Sequence, residues 1–440
     1  MNVVDMKKAL FEGGVVGAGG AGFPTHAKLS EQAETIILNC AECEPLIKVD
    51  RQLMVDYLDE VLSGMRRVVE TLGAKEGIIA VKKSYQSALE AIAERIKNDQ
   101  KLRLHVLPDI YPAGDEVVLI YETTGKVVPQ GKLPILVGCL VINVETALNL
   151  HRKLVSDENV VSKFVTVAGL VKQPVTVSVP LGVTVKELIA MAGGYTAEDH
   201  VIIIGGPMTG RICHPQEVVT KTTKAILVLP PDCPPVAKRK TTSRLNIRNA
   251  MSVCSQCSMC TTLCPRNLLG QAIQPHVFMR ALANGITDNT EPFLNSFFCC
   301  SCGLCELYSC HQDLSPRSLL DAYKGGLRAK GVKIPDKSGK EVSRMREEQK
   351  VPEQRLLNRL GLHKFDVPAP LTACPAVTEV KLLLSQSLGT PCVPLVKAGD
   401  MVALGQLLGT PAEGALGVCL HASIAGKITA VTEQFIRIKA

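Results

Sequence analysis

Cys254, Cys257, Cys260 and Cys264 stand in the spacing C-x2-C-x2-C-x3-C and are followed at once by Pro265. A second run, CCSCGLCELYSC, sets Cys299, Cys302, Cys305 and Cys310 as C-x2-C-x2-C-x4-C, with Cys300 left over. A tight loop of this spacing brings three thiolates to three corners of one iron-sulfur cubane, and the fourth corner takes a cysteine from elsewhere. Where two such runs occur, the fourth ligand is exchanged between them. The expected sets are therefore Cys254, Cys257, Cys260 and Cys310 for one [4Fe-4S] cluster, and Cys299, Cys302, Cys305 and Cys264 for the other. Zinc also uses C-x2-C pairs, but it seldom takes a third cysteine at the same interval. Cys300 would leave a single residue before Cys302, too short a link to reach different irons, so Cys299 is the expected ligand.

The whole composition agrees with reduced thiol chemistry. Seventeen cysteines, an odd number, in a 440-residue chain point to metal ligands rather than a secreted disulfide framework. No apolar run approaches the roughly 20 residues that cross a bilayer. Glu12 and a glycine loop interrupt what would be the apolar stretch of a signal peptide. A cytoplasmic, non-spanning protein is expected. The formal charge of +7 is a mild excess, dense at Lys238, Arg239, Lys240, Arg244 and Arg248. That patch reads as a solvated linker, and no nucleic-acid partner is expected. Length suggests about three domains. With no Trp and few aromatics, their cores must be Val, Ile, Leu and Ala in mixed α and β structure.

A second constellation lies near the start, in GGVVGAGGAGFPTHAKL, residues 13–29. Gly17, Gly19 and Gly22 satisfy G-x-G-x-x-G, which in a strand-turn-helix setting cradles a dinucleotide pyrophosphate. The setting here is different: VDMKKALFEGG before it has helical character, and Pro24 follows two residues after the last glycine. Beyond it, ETIILNCAECEPLIKVDRQLM holds a strand-like run, Ile36 to Leu38, ending at Asn39 with Glu42 and Glu44. Backbone N–H groups and Lys28 suit a phosphate.

GxGGxGFPTxxKL followed by N-x-A-E-x-E-P resembles the flavin-binding core shared by the NADH-oxidising subunit of respiratory complex I and the C subunit of the Rnf complex. LVINVETALNL is similar to the N-V-E-T stretch of those proteins, and YPAGDE, residues 111–116, to the Rnf subunit in particular. The resemblance implies FMN held by Gly17, Gly19, Gly20, Gly22, Lys28, Asn39, Glu42, Glu44, Asn143, Glu145 and Thr146. It also implies NADH as electron donor. The glutamate-rich segment of the complex I subunit has only IYETTGKVVPQG as a counterpart, with Glu122 as its one acid. Cys40 and Cys43 form a C-x-x-C, read here as part of the cofactor segment and not as a thioredoxin-like redox pair.

Residues 163–205 alternate strands, a turn and one amphipathic helix, similar to the β-grasp module of the same family. EVSRMREEQKVPEQRLLNRL reads as a surface helix or linker. From Pro394, A-G-D-x-V-x-x-G-Q and H-A-S-x-x-G-x-I resemble the two halves of a biotinyl or lipoyl barrel-sandwich. The hairpin between them, AEGALGVC, carries no lysine, and Lys427 lies beyond it, so an unmodified structural or docking module is expected.

The expected fold is multidomain α/β and α+β. It comprises a flavin-binding α/β core (1–155), a β-grasp module (156–235), a helical two-cluster ferredoxin-like segment (241–330), a charged linker or helix (331–365) and a barrel-sandwich hybrid (366–440). This order, with HQDLSPR after the second cysteine run, resembles the cobalamin reductases of propanediol-utilisation microcompartments. That family implies electron flow from NADH through FMN and two clusters to cob(III)alamin or cob(II)alamin for a diol dehydratase. It also implies a corrinoid adenosyltransferase and shell proteins as partners, inside a bacterial microcompartment. Two other classes are open: an input subunit of an Rnf-type NADH:ferredoxin membrane complex, and a non-enzymatic electron relay.

Overall fold

The computed structural model describes residues 1–286 and 288–440. Its first unit is a four-stranded sheet in which Leu102–Leu107, Glu76–Lys82, Thr35–Cys40 and Cys139–Asn143 lie in that order, all parallel. These strands are near-continuous apolar runs, as a sheet covered on both faces requires. Helix Leu58–Thr71 packs on helix Val144–Ser156 so closely that a Cβ at Gly64 would stand 2.0 Å from the Ala147 carbonyl oxygen. Register pairs Asn39 with Asn143 at the carboxyl ends of neighbouring strands, the edge where open α/β sheets bind ligands.

The β-grasp unit is a six-stranded sheet over helix Val185–Met191. Thr184 and Glu187 close that helix with a reciprocal capping box, a pair of bonds that satisfies two of its free N–H groups. Two small sheets make the C-terminal barrel, one of strands within 379–439 and one within 393–421. Val380, Leu382, Ile428, Ile436 and Ile438 of the barrel share one apolar core with Val165, Val177, Ile226 and Val228 of the β-grasp sheet. The barrel is thus fused to its neighbour by burial. Lys427 sits within strand Gly426–Val431, paired to Met401 and Lys439.

The cysteine runs lie among short helices around Phe278, Met279, Phe298, Leu319 and Leu320. Between 331 and 365, expected as a charged linker or helix, most of the segment is irregular. Only Glu353–Arg359 is α-helical there, starting after Pro352, while Val351 and Pro352 pair antiparallel with Tyr111 and Ile110. Proline disfavours helical backbone in the residue before it, which leaves Val351 extended and free to pair. Lys82, fully buried, then meets Glu353 at 2.6 Å, and Arg346 and Lys350 meet Glu122 at 2.5 and 3.0 Å. The segment is a strap across the flavin core.

The glycine loop is also tied to the barrel, and that tie depends on pH. Buried Lys221 donates to the carbonyls of Gly14 (2.7 Å) and Cys419 (3.0 Å). Burial pulls its ammonium down to about 8. Burial, with the nearby Lys221 and Lys153 cations, pulls His421 down to about 3. Both folded values lie below the ordinary 10.5 and 6.5, so the unfolded chain binds more protons and stability rises with pH through each window. His421 contributes stability that is lost as pH falls from 6.5 toward 3, on the order of 5 kcal/mol. The urea midpoint should rise from pH 5 to pH 7, and His421→Phe should flatten that rise. A midpoint level across this range in the parent chain would contradict the assignment.

Candidate flavin and iron-sulfur sites

The glycine loop closes on itself: Gly17 N donates to Phe23 O at 2.9 Å, and Val16 bridges Pro24. It follows helix Val3–Glu12 rather than a strand, so the dinucleotide reading fails on its setting. Two side chains of the next elements hold the loop. Thr146 Oγ1 accepts from Ala18 N at 2.9 Å, and Lys163 Nζ donates to Ala18 O at 3.1 Å.

A cavity of about 270 Å³ opens against this loop, lined by Gly17, Gly19, Gly20, Gly22, Thr25, Lys28, Asn39, Gly114, Glu116, Asn143 and Thr146. A second, of about 240 Å³, shares Gly19, Gly20, Asn39, Gly114 and Asn143 and adds Glu42, Glu44, Asp50 and Lys224. Together they have the dimensions of a small-molecule cleft. A third, of about 570 Å³, meets the second at Gly20, Gly205, Thr209 and Thr222 and is walled by the β-grasp unit and Lys381.

The lining suits FMN. A Cβ at Gly20 would touch nothing within 4 Å, so the backbone there is bare toward the cleft. Thr25 Oγ1 and Asp50 Oδ1 are buried polar atoms at the cleft with no protein partner, which a hydrogen-bonding ligand would satisfy. Lys28, 2.7 Å from Glu116, would serve a phosphate or ring oxygen. Asn39 donates to Gly114 O at 3.0 Å. Asn143 caps helix Val144–Ser156 and donates to Asp50 Oδ2 at 2.9 Å. Lys224 stands 2.5 Å from Asp50 Oδ2.

Two of the expected contacts are turned to structural work. Glu145 is absent from the cleft walls: it is buried against Lys163 Nζ and accepts from Phe164 N at 3.1 Å. Glu44 borders the cleft, but its carboxylate is tied to Met208 N (3.0 Å) and Thr209 Oγ1 (2.5 Å) of the β-grasp unit, and burial raises its pKa. Glu42 accepts from Asp50 N at 2.6 Å and faces Arg51 at 3.3 Å. Glu122 is bound in the strap. Sequence reasoning misses Thr25, Asp50, Gly114, Glu116 and Lys224. YPAGDE carries a signal for Gly114 and Glu116, whereas Lys224 has none. Cys40 and Cys43 part company: Cys40 Sγ lies 3.8 Å from Met54 Sδ, while Cys43, its thiol pushed up to about 12 by burial, faces Gly114.

The cluster cysteines fall into two groups. Cys254, Cys257, Cys260 and Cys310 surround one small cavity. Burial, then its neighbours Cys310, Cys254 and Cys257, push the Cys260 thiol up to about 12. Cys264 lies instead with Cys299, Cys300, Cys302 and Cys305, where burial and the adjoining thiols raise it and Cys305 strongly. Thiols raised this far become thiolates only against a cation such as iron. Among the described residues no three His, Cys, Asp or Glu side chains converge on the point one ion would occupy. A four-iron cubane accepts a wider spread of thiolates than one zinc does.

Loop 111–116 joins the two sites. Gly114 lines the flavin cleft, Tyr111 Oη donates to Cys302 O at 2.7 Å, and Asp115 pairs with Arg266, two residues after Cys264, at 2.8 Å.

Four family descriptions match along the chain: the Nuo51 FMN-binding domain at residues 10–152, the SLBB domain at 164–212, a 4Fe-4S dicluster domain at 253–315 and the RnfC barrel sandwich hybrid domain at 363–439. Cobalamin reductase PduS of Citrobacter freundii is 39% identical over 97% of this chain and 94% of its own. The same-named protein of Salmonella typhimurium is 39% identical over 99% and 96%. The chain belongs to the PduS cobalamin reductase family. The C subunit of the Na(+)-translocating ferredoxin:NAD(+) oxidoreductase complex of Acetobacterium woodii is more distant from it, 32% identical over 61% of this chain and 59% of that one. An NAD+-reducing [NiFe]-hydrogenase structure, 21% identical, covers 76% of this chain and 63% of its own with a TM-score of 0.50, which speaks to fold alone. The family matches agree with the mixed α/β architecture, the FMN domain and the iron-sulfur clusters expected from sequence. No helix among the described residues is long and apolar enough to cross a membrane.

Proposed function

We propose that this chain is an NADH-dependent cobalamin reductase in which electrons pass from an FMN cleft through two [4Fe-4S] clusters to cobalamin. One observation carries the route: loop 111–116 touches the flavin cleft with Gly114 and the second cluster's shell with Tyr111 and Asp115. Bound FMN supplies the conversion of a hydride into single electrons. The protein's part is to hold it. The bare backbone of the glycine loop would hold its phosphate, Asn39 and Asn143 would fix its place on the cleft floor, and the paired Asp50 and Lys224 would set the charge around it. Mixing NADH with oxygen-free protein tests the reading, and a flavin that stays yellow refutes it.

An Rnf-type input subunit is the second reading, favoured by the barrel and FMN domains common to both; co-purification with membranes would decide for it. A corrinoid adenosyltransferase and shell proteins as partners, and a place inside a microcompartment, are finer proposals supported by the resemblance. Co-sedimentation with purified microcompartments tests them.

For the second cluster we assign Cys264, Cys299, Cys302 and Cys305. Cys299→Ala should lose roughly four irons per chain and Cys300→Ala none. The reverse pattern, measured by iron content of anaerobically purified protein, would transfer the ligand role to Cys300, which lies beside Cys302 and Cys264.

A further inference from the structure

No Asp or Glu occurs between Asp232 and Asp288, a stretch that carries seven Lys and Arg and both ends of the first cysteine run. Three of those cations are used inside the fold. Lys238 donates to the carbonyls of Asp313 and Leu314, Arg239 to those of Gly210 and Pro207, and Arg266 pairs with Asp115. Lys240, Arg244, Arg248 and Arg280 are exposed, and none has a carboxylate partner among the described residues.

Helix Ser243–Val253 buries Asn246 and Ala250. Arg244, Arg248 and Met251, spaced i, i+4 and i+7, therefore share its outward face. Met251 is 63% exposed, with Leu245, Val253 and Met259 also open to solvent. This apolar ground ringed by cations leads directly into the first cluster's ligands. There Cys257 is exposed, while the second group's cysteines are buried or half-buried.

We propose that this face is the electron outlet, shaped to dock a soluble protein of net negative charge that carries a one-electron centre. The inference rests on the functional reading, in that the first cysteine group holds a cluster. The second group adjoins the flavin cleft through Tyr111 and Arg266, so the first group is the distal one. One electron leaves the reduced cluster and reduces the partner's oxidised centre, with no bond made or broken and no proton moved. An unneutralised cationic rim steers an acidic partner and fixes its register, and exposed Met and Leu give it a contact core. The stretch from Cys233 to Val277 has no Phe, Tyr or Trp, so it lacks the stacking platform of a nucleic-acid surface.

The test uses holoprotein and the double variant Arg244→Glu/Arg248→Glu, with an acidic and a basic cytochrome as probes. Calorimetry measures binding, and stopped-flow spectra measure cytochrome reduction. The parent chain should bind and reduce the acidic cytochrome preferentially, with affinity falling about tenfold between roughly 20 and 200 mM salt. The variant should lose at least about tenfold in both readouts, keep its iron and flavin content, and take up electrons from dithionite to the same extent as the parent. Equal behaviour of the two cytochromes, or a variant unchanged toward the acidic one, overturns the proposal. So does a variant whose only loss is binding to anionic vesicles or RNA. If the flavin ignores NADH while charge-dependent binding persists, the functional reading fails and the docking surface stands.

Discussion

Lys163→Met is expected to destabilise the flavin core by about 3–5 kcal/mol, the range for stranding one member of a buried ion pair. Lys163 is 2% exposed and Glu145 1%. Without the ammonium, Glu145 keeps only the Phe164 N–H as a partner for its charge, and Ala18 O loses its donor. Burial already pulls the Lys163 pKa down, so the pair persists because each charge answers the other. The measurement is the urea midpoint, followed by circular dichroism and by flavin release, and flavin should leave first because Lys163 anchors the glycine loop. Adding Glu145→Gln should recover much of the stability, since a neutral amide costs less to bury than a lone carboxylate. A single variant as stable as the parent would show that the pair contributes nothing.

Gly19→Val should weaken FMN binding by at least about ten- to a hundredfold, corresponding to 1–3 kcal/mol of overpacking. A Cβ at Gly19 would stand 2.7 Å from Asn143 Cγ and Nδ2. Asn143 has no room to yield: it accepts from Glu145 N at 3.1 Å and donates to Asp50. Gly20→Val separates the effects, because no protein atom lies within 4 Å of its Cβ position. It should lose flavin affinity without losing stability. Fluorescence titration of deflavinated protein with FMN reads both, and iron content should stay constant throughout. Undiminished affinity in Gly19→Val would remove the glycine loop from the cofactor site.

What can be read in the sequence is what short spacing specifies. The cysteine intervals bring together three thiols of each group, the glycine loop announces bare backbone, and Asn39 and Asn143 end apolar strands that are neighbours in register. Partner choice across long separations is hidden. Glu44 and Glu145 stand in segments that resemble flavin contacts, yet one is spent on Thr209, 165 residues away, and the other on Lys163. Both are carboxylates that burial obliges to find donors, and nothing local says which. Lys224 reaches Asp50 across 174 residues, with no motif around it. The charged segment 341–360 has helical tendency, but Pro352 and the pairing of Val351 with Tyr111 override it. Likewise, the barrel motif is visible without its partner, because only the folded core shows Ile436 and Ile438 packed with the β-grasp strands.

Electrons are expected to cross from the flavin cleft through both cysteine groups. Freeze-quench EPR of oxygen-free holoprotein, mixed first with NADH and then with cob(III)alamin, follows that crossing directly. The prediction is roughly eight irons per chain, a bleached flavin, two reduced-cluster signals that appear after it, and their decay as the cob(II)alamin signal grows. Clusters that stay oxidised while cob(II)alamin forms, or a flavin untouched by NADH, would contradict it.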